Sequence, residues 1–496
     1  MNANRLVFGL LLAASAAGCA DLEVTNPNQR TTDTFWRDRS DAIQGVNAAY
    51  NGLQLRGTYQ RWLPFAYDTR SDIGLSRSPW PELSQFNKFT LGGYDFEVNL
   101  EIYGHHYQAI FRANQVIANV PGIQMEEGLR NRIVGEAKFI RGLAYYNLAI
   151  LYGSVPLITE PSQADMRPAS ASNAELWAQI EKDFGEARGV LPAAYTGNDL
   201  GRVTRGAATA MLGKAHLQQR EWAQASQMFA EVVASNQYRL VPNYGDNFVV
   251  SGDNNAESIF EVQFGGPAQL AAGTVGQNVA RMTGPCDFPG SGFCDSQPTS
   301  WLASQYNERT VAGATDPRKD ASIFYNRPGR DLYGASFAER YPNGNRGIAL
   351  DSLFYWKKYT EYYLREQDWD DEINIKVVRL GGLLLLHAEA LVEQGRQAEA
   401  ATFVNQVRQR AGLAPLPAGL SQADMRQRVA TEQVRELAYE MERWKYLARH
   451  NLLGSAETAS HDPTEFRFFV PGKSELLPIP TSETARNPNV TQNPGY

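Results

Sequence analysis

The sequence predicts a mainly α fold: a scaffold of helical hairpins interrupted by a large irregular, loop-rich insertion. Three observations predict it. Ile133, Ala137, Ile140, Ala144, Leu148 and Leu151 recur in steps of three and four, which lines one face of a helix. A small–small–large spacing occurs twice, as Gly213, Ala225, Phe229 and again as Ala388, Ala400, Val404. Between Tyr238 and Ile373 helical patterning mostly fails, and only short stretches such as 258–264 alternate like a strand.

In chain order, a first helix is read over Asp41–Leu55 and its partner over Glu97–Asn119, with a long excursion, 56–96, between them. The helix through Ile133 ends at Tyr152-Gly153-Ser154-Val155-Pro156-Leu157, where a polar loop precedes the next helix, about Ala174–Arg188. Thr204 offers a cap for a helix running to about Gln219, and another begins near Trp222. Within that pair, Leu212-Gly213-x-x-His216 followed by Ala225-x-x-x-Phe229 resembles the tetratricopeptide pattern. The small residue lets two antiparallel helices approach, and the large one fills the gap between them. Residues 388–404 repeat the spacing, and one last charged helix is read over Ser421–His450. The scaffold is thus tetratricopeptide-like over 41–237 and 373–496, with residues 238–372 as the irregular part.

The N-terminus sets the compartment. Arg5 precedes the apolar stretch Leu6–Ala17 and then Gly18-Cys19, a charged end and an apolar core too short to span a bilayer. Residues 1–18 read as a signal peptide, and Ala16-Ala17-Gly18 before Cys19 resemble a bacterial lipobox in which Cys19 is acylated. The alternative is a plain secretory signal with an incidental cysteine. Residues 19–40 read as a tether and N-terminal segment. Two further cysteines, Cys286 and Cys294, sit in a Gly/Pro-rich stretch. In an oxidising compartment an even pair favours a local disulfide, with two free thiols as the alternative.

With 43% hydrophobic residues the chain has material for a sizeable core. Its 47 Lys+Arg against 54 Asp+Glu, a net charge of −7 and no basic run argue against a nucleic-acid partner. No zinc-protease, phosphate-loop, dinucleotide or serine-elbow motif is present, so neither cofactor nor metal is expected. His216 and His387 occupy repeat positions and read as packed, and Asp368, Asp370, Asp371 and Glu372 as a solvated charge run. The aromatic residues are the better lead. Trp62, Tyr67 and Trp80 fall in the first excursion among Arg70, Asp72 and other charges. A ring exposed beside hydrogen-bonding groups suits a sugar, whose C–H face stacks while its hydroxyls bond. The other reading, that these rings pin the loop to the scaffold, stays open for Trp62 above all.

The chain resembles the SusD/RagB family of outer-membrane lipoproteins along nearly its full length. The likeness includes Ala137-Lys138-Phe139-Ile140-Arg141-Gly142, Arg202-Val203-Thr204-Arg205-Gly206-Ala207-Ala208 and Asp316-Pro317-Arg318. It continues through Asn405-Gln406-Val407-Arg408-Gln409-Arg410 to the terminal Leu477-Pro478-Ile479-Pro480 and Asn493-Pro494-Gly495-Tyr496. The family's Glu-Arg-Arg-x-Glu-Leu helix is here Glu432-Gln433-Val434-Arg435-Glu436-Leu437. The resemblance implies a non-catalytic protein, lipid-anchored at the outer membrane and facing the cell exterior. It implies capture of a glycan or similar polymeric nutrient and a SusC-type TonB-dependent transporter as partner. It also implies where the ligand loops lie, which selects Trp62, Tyr67, Arg70, Asp72, Trp80 and Phe288 as candidate contacts. The main rival is a lipid-anchored scaffold for envelope assembly without a small-molecule ligand, in which Trp62 and Trp80 would be buried. A two-lobed α/β solute-binding protein and an all-helical glycoside hydrolase are further rivals.

Overall fold

The computed structural model describes residues 35–163, 165–265, 275–361 and 370–496. The expected signal peptide, Cys19 and most of the tether lie outside the described residues. The scaffold begins with α1 (Arg39–Asn51), capped by the Asp38 side chain, which accepts from the N–H groups of Ser40 and Asp41. It continues through α2 (Glu97–Asn119), α3 (Glu127–Tyr152), α4 (Asn173–Val190), α5 (Arg205–Gln218) and α6 (Trp222–Ala234). Ser172 and Glu175 close a reciprocal capping box on α4, and Thr204 caps α5 through the Ala207 N–H.

After the irregular part come α7 (Leu380–Glu393), α8 (Gln397–Arg410), α9 (Gln422–Leu437) and α10 (Arg443–Arg449). Consecutive helices pack from α2 to α6, and α7 packs on α6 as well as on α8. The two stretches of scaffold, separated in sequence, are therefore one stack.

Close approach explains the repeated small residues. A Cβ placed on Gly213 would lie 2.6 Å from Phe229 Cε1, so α5 and α6 meet where only a hydrogen fits. Gly142 on α3 uses Phe184 of α4 in the same way, at 3.1 Å, although the loop 153–172 intervenes.

The last helix departs from the single rod read over Ser421–His450. It breaks between α9 and α10, where Tyr439 and Met441 adopt positive φ of 61° and 63°. Buried partners hold this turn in its costly conformation. Glu440 accepts from Arg379 and Lys358, each at 2.7 Å, and the Met441 N–H donates to Asp68 at 2.7 Å. The Glu432–Leu437 segment lies beside it on α9. Burial alone would raise the Glu436 carboxyl, but the guanidinium groups of Arg410, Arg379 and Arg318 hold it well below the carboxylate range. Arg318 in turn pairs with Asp316, both fully buried.

Strands are short, and those described pair antiparallel. β1 (Gly74–Leu75) pairs with β3 (Gln297–Pro298), β2 (Ser258–Val262) with β6 (Ile375–Arg379), and β4 (Ile323–Phe324) with β5 (Tyr355–Trp356). Of the acidic run read as solvated, Asp368 lies outside the described residues, and Asp371 is buried, its backbone exchanging two 2.8 Å hydrogen bonds with Gln277. Among the described residues no helix is long and apolar enough to cross a membrane.

Candidate functional site

The two excursions singled out as ligand loops are stitched together. The β1–β3 ladder joins residues 74–75 to 297–298, and around it Thr69 Oγ1 and Ser296 Oγ lie 2.7 Å apart. Ser76 Oγ donates to the Asp295 carbonyl at 2.8 Å, and Thr299 Oγ1 to the Asp72 carbonyl at 3.0 Å. From a third segment, Arg346 Nη1 donates to the Arg77 carbonyl at 3.2 Å. The same guanidinium grips Asp287 at 2.9 and 3.0 Å. Residues 69–80, 287–299 and 346 thus form one seam, the first segment more than 200 residues from the other two.

Four of the expected contacts do not face solvent at this seam, which corrects the sequence reading. Trp62 is 0% exposed; its Nε1 donates to Glu101 at 2.8 Å, and its ring meets Phe65 and Trp80 edge-on. Tyr67 is equally buried, with its hydroxyl donating to Asn147 at 3.0 Å and the Lys445 ammonium 4.6 Å from its ring centroid. Arg70 is enclosed by Trp444, Phe89 and Phe86, with its guanidinium carbon 4.7–5.5 Å from their centroids. Burial pulls its pKa down to about 10. Asp72 is 0% exposed and pairs with Arg443 and His461. The physical reasons are local. The excursion winds into wide helical turns at Arg56–Gln60 and Phe65–Thr69 whose buried residues include Tyr67. Trp62, Arg70 and Asp72 beside them each find interior partners: Glu101 for Trp62, the ring cage for Arg70, and Arg443 with His461 for Asp72.

Two candidates keep accessible surface. Trp80 is half-buried, touching Trp62 and Phe96 by ring edges at 6.2 and 5.1 Å and sitting between Pro79 and Pro81, both exposed. Its loop is pinned from below: the Ser76 N–H donates to Glu465 at 3.0 Å, and burial pushes the Glu465 carboxyl up to about 8. Phe288 is half-buried against Tyr333 and Tyr341, with Arg340 over its ring at 4.7 Å. It lies in the loop closed by the Cys286–Cys294 disulfide, whose Cα atoms are 5.4 Å apart.

The Arg346–Asp287 pair at the seam was missed. No periodicity links residues 59 apart in irregular chain, and the nearest signal was the place of Asp287 between Cys286 and Phe288. Their pairing holds the Asp287 carboxyl below its usual range, through the hydrogen bond from Arg346. One metal-capable cluster involves Cys286, Asp287 and Cys294, but its two sulfurs are consumed by the disulfide. His216 lies 2.6 Å from Glu221, and Glu181 is close by.

Fold and seam together define a helical-hairpin scaffold protein whose irregular insertions meet along one loop-built surface. Residues 256–496 match the model of the SusD family, and residues 22–217 match a SusD-like model described as starch-binding and associating with the outer membrane. The chain belongs to the SusD family. SusD-like protein P25 of Formosa agariphila is 25% identical over 100% of both chains. A SusD superfamily structure from Bacteroides vulgatus superposes with a TM-score of 0.83 at 25% identity, covering 93% of this chain and 100% of that one. A laminarin-binding SusD-like protein gives 0.75 at 29% identity, with the same coverage.

Proposed function

We propose that this is a non-catalytic lipoprotein that captures an oligosaccharide at the cell surface and delivers it to a SusC-type TonB-dependent barrel. The observation that carries the reading is Trp80: a half-buried indole on a loop pinned by buried groups, three residues from Arg77, whose carbonyl accepts from Arg346. An indole face takes the C–H side of a pyranose, while charged and backbone groups beside it bond hydroxyls and fix orientation. A rigid platform of this kind loses little conformational entropy on binding. Support comes from the laminarin-binding relative and from the starch-binding description of the N-terminal family model. The anchor is Cys19 in this reading, and the helical stack carries both the loops and the transporter contact.

A scaffold for envelope assembly is the second reading, favoured by the burial of Trp62 and opposed by the accessibility of Trp80. A glycan array probed with protein lacking residues 1–19 separates the two. Binding to at least one glycan, reduced tenfold or more in a Trp80→Ala variant, is the expected result. A folded protein that binds nothing on the array fits the scaffold reading instead. Co-purification with an outer-membrane barrel tests the partner separately.

A further inference from the structure

Away from the seam, α1, the loop at 197–202 and strand β2 enclose a cavity of about 250 Å³. We infer that this cavity is a second binding site, for a single neutral sugar unit or a polyol of that size. The inference is independent of the seam and of Trp80.

The lining carries the argument. Five carboxamides surround the space: Asn47, Asn51, Gln54, Asn198 and Gln263. A carboxamide both donates and accepts, which matches the two-way chemistry of a hydroxyl. Most of these amides are held in place before any ligand arrives. Gln54 Nε2 donates to the Gln263 carbonyl at 2.7 Å, and Asn51 Nδ2 donates to Gln54 Oε1 at 3.2 Å. Gln263 is fixed by Asn254 at 2.8 and 3.0 Å. Preorganised polar groups lower the ordering cost of binding.

Charge points the same way. Two ionised residues touch the cavity, and each is neutralised within the protein. Arg202 pairs with Asp199 at 2.6 Å and Glu136 at 3.0 Å, and Glu261 pairs with Lys376. An ionic ligand would therefore find no free countercharge. The apolar part of the wall is supplied by Leu53, Phe260 and Val262, with Leu200 at the rim, 57% exposed. An exposed leucine beside a polar cavity gives a C–H surface for the apolar side of a sugar ring. Gly201 makes the geometry possible. It has φ of +90°, and a Cβ there would lie 2.4 Å from Gln263 Cδ, so the loop closes on the strand only with glycine.

The test is saturation-transfer NMR on the full soluble chain with glucose, galactose, mannose, xylose and arabinose, each beside glucuronate as a charged control. At least one neutral sugar is expected to show transfer, and glucuronate none. Asn47 and Asn198 are both exposed, and Arg202, which donates to Asn47 Oδ1 at 2.9 Å, keeps Asp199 and Glu136 as partners, so an Asn47→Ala/Asn198→Ala double variant is expected to fold normally. It should weaken the signal-giving sugar about tenfold or more, as loss of two neutral hydrogen bonds implies. Trp80→Ala should leave that sugar unchanged, which separates this site from the seam. Transfer from none of the five sugars overturns the inference, as does binding that survives the double variant or is equally strong for glucuronate.

Discussion

Asp72 and Arg443, 371 residues apart, form a two-point ion pair inside the protein, with Arg443 Nε 2.8 Å from Oδ1 and Nη2 2.6 Å from Oδ2. His461 meets Oδ2 at 2.7 Å from the other segment of the C-terminal part and stacks on Trp301 at 3.7 Å. One carboxylate in the first excursion thus fastens the ligand-loop region to the end of the scaffold. With no exposed surface and all three partners inside the protein, this residue is placed as a structural tie.

Removing that charge should be costly. Asp72→Asn leaves Arg443 buried without its counter-ion, and such losses amount to about 3–5 kcal/mol. Burial by itself would raise the Asp72 carboxyl, but Arg443 and His461 lower it below the usual value. A depressed folded-state pKa gives stability that is present above about pH 4 and is lost as pH falls through the folded value. Urea denaturation from pH 7 down to pH 3 should show this acid-side loss in the parent protein and a smaller one in the variant.

Glu465 should act in the opposite sense. Its carboxyl is pushed up to about 8 by burial, with Asp462 adding repulsion. An acid that keeps its proton when folded loses stability as pH rises from its unfolded value, about 4.5, towards 8. Glu465→Gln keeps an acceptor for the Ser76 N–H and removes the ionisation. Its stability should therefore change less between pH 5 and pH 8 than that of the parent. An identical slope in both proteins would show that Glu465 does not govern this limb.

The helical scaffold was legible because its signal is local. Gly213 and Phe229 stand at a spacing fixed by two adjacent helices, and the structure brings them into contact. A Gly213→Ala variant should lose about 1–3 kcal/mol through overpacking against Phe229. Gly92→Ala, where a Cβ would meet nothing within 4 Å, is the control. Thermal denaturation of the pair separates close approach from general loss of glycine. The break after Leu437 was not legible in the same way. The residues that hold it, Asp68, Lys358 and Arg379, come from three distant segments and leave no mark on the periodicity of 421–450.

The disulfide loop makes a separate claim. Replacing Cys286 and Cys294 together with serine should cost about 2.5 kcal/mol by the chain-entropy model for so short a loop. The effect should be local, because the bridge closes one short loop, whose Phe288 packs on Tyr333 and Tyr341. Amide hydrogen exchange should rise at residues 286–294 and stay unchanged in α5 and α6. Faster exchange throughout the scaffold would mean that the bridge supports the fold as a whole.

Trp62 and Trp80 give the sharpest contrast: the sequence leaves Trp62 open between packing and exposure and leans to exposure for Trp80, and the structure divides them. Their rings touch edge-on at 6.2 Å, yet one is interior and the other only half-buried. What separates them is invisible to local pattern: Glu101, on α2 and 39 residues away, accepts from the Trp62 indole and fixes it inward. Trp62→Ala removes a fully buried side chain and takes the donor from Glu101 Oε2, leaving Oε1 paired with Arg56, so about 3–5 kcal/mol of stability should be lost. Any fall in glycan binding by that variant should follow its unfolded fraction and recover on cooling. Trp80→Ala should show the reverse, with a smaller loss of stability and a tenfold or greater fall in affinity under conditions where the protein is fully folded. Denaturation and glycan titration on the same two samples decide it. Should Trp62→Ala stay folded and lose binding while Trp80→Ala binds normally, the ligand surface would have to include groups that this conformation keeps buried.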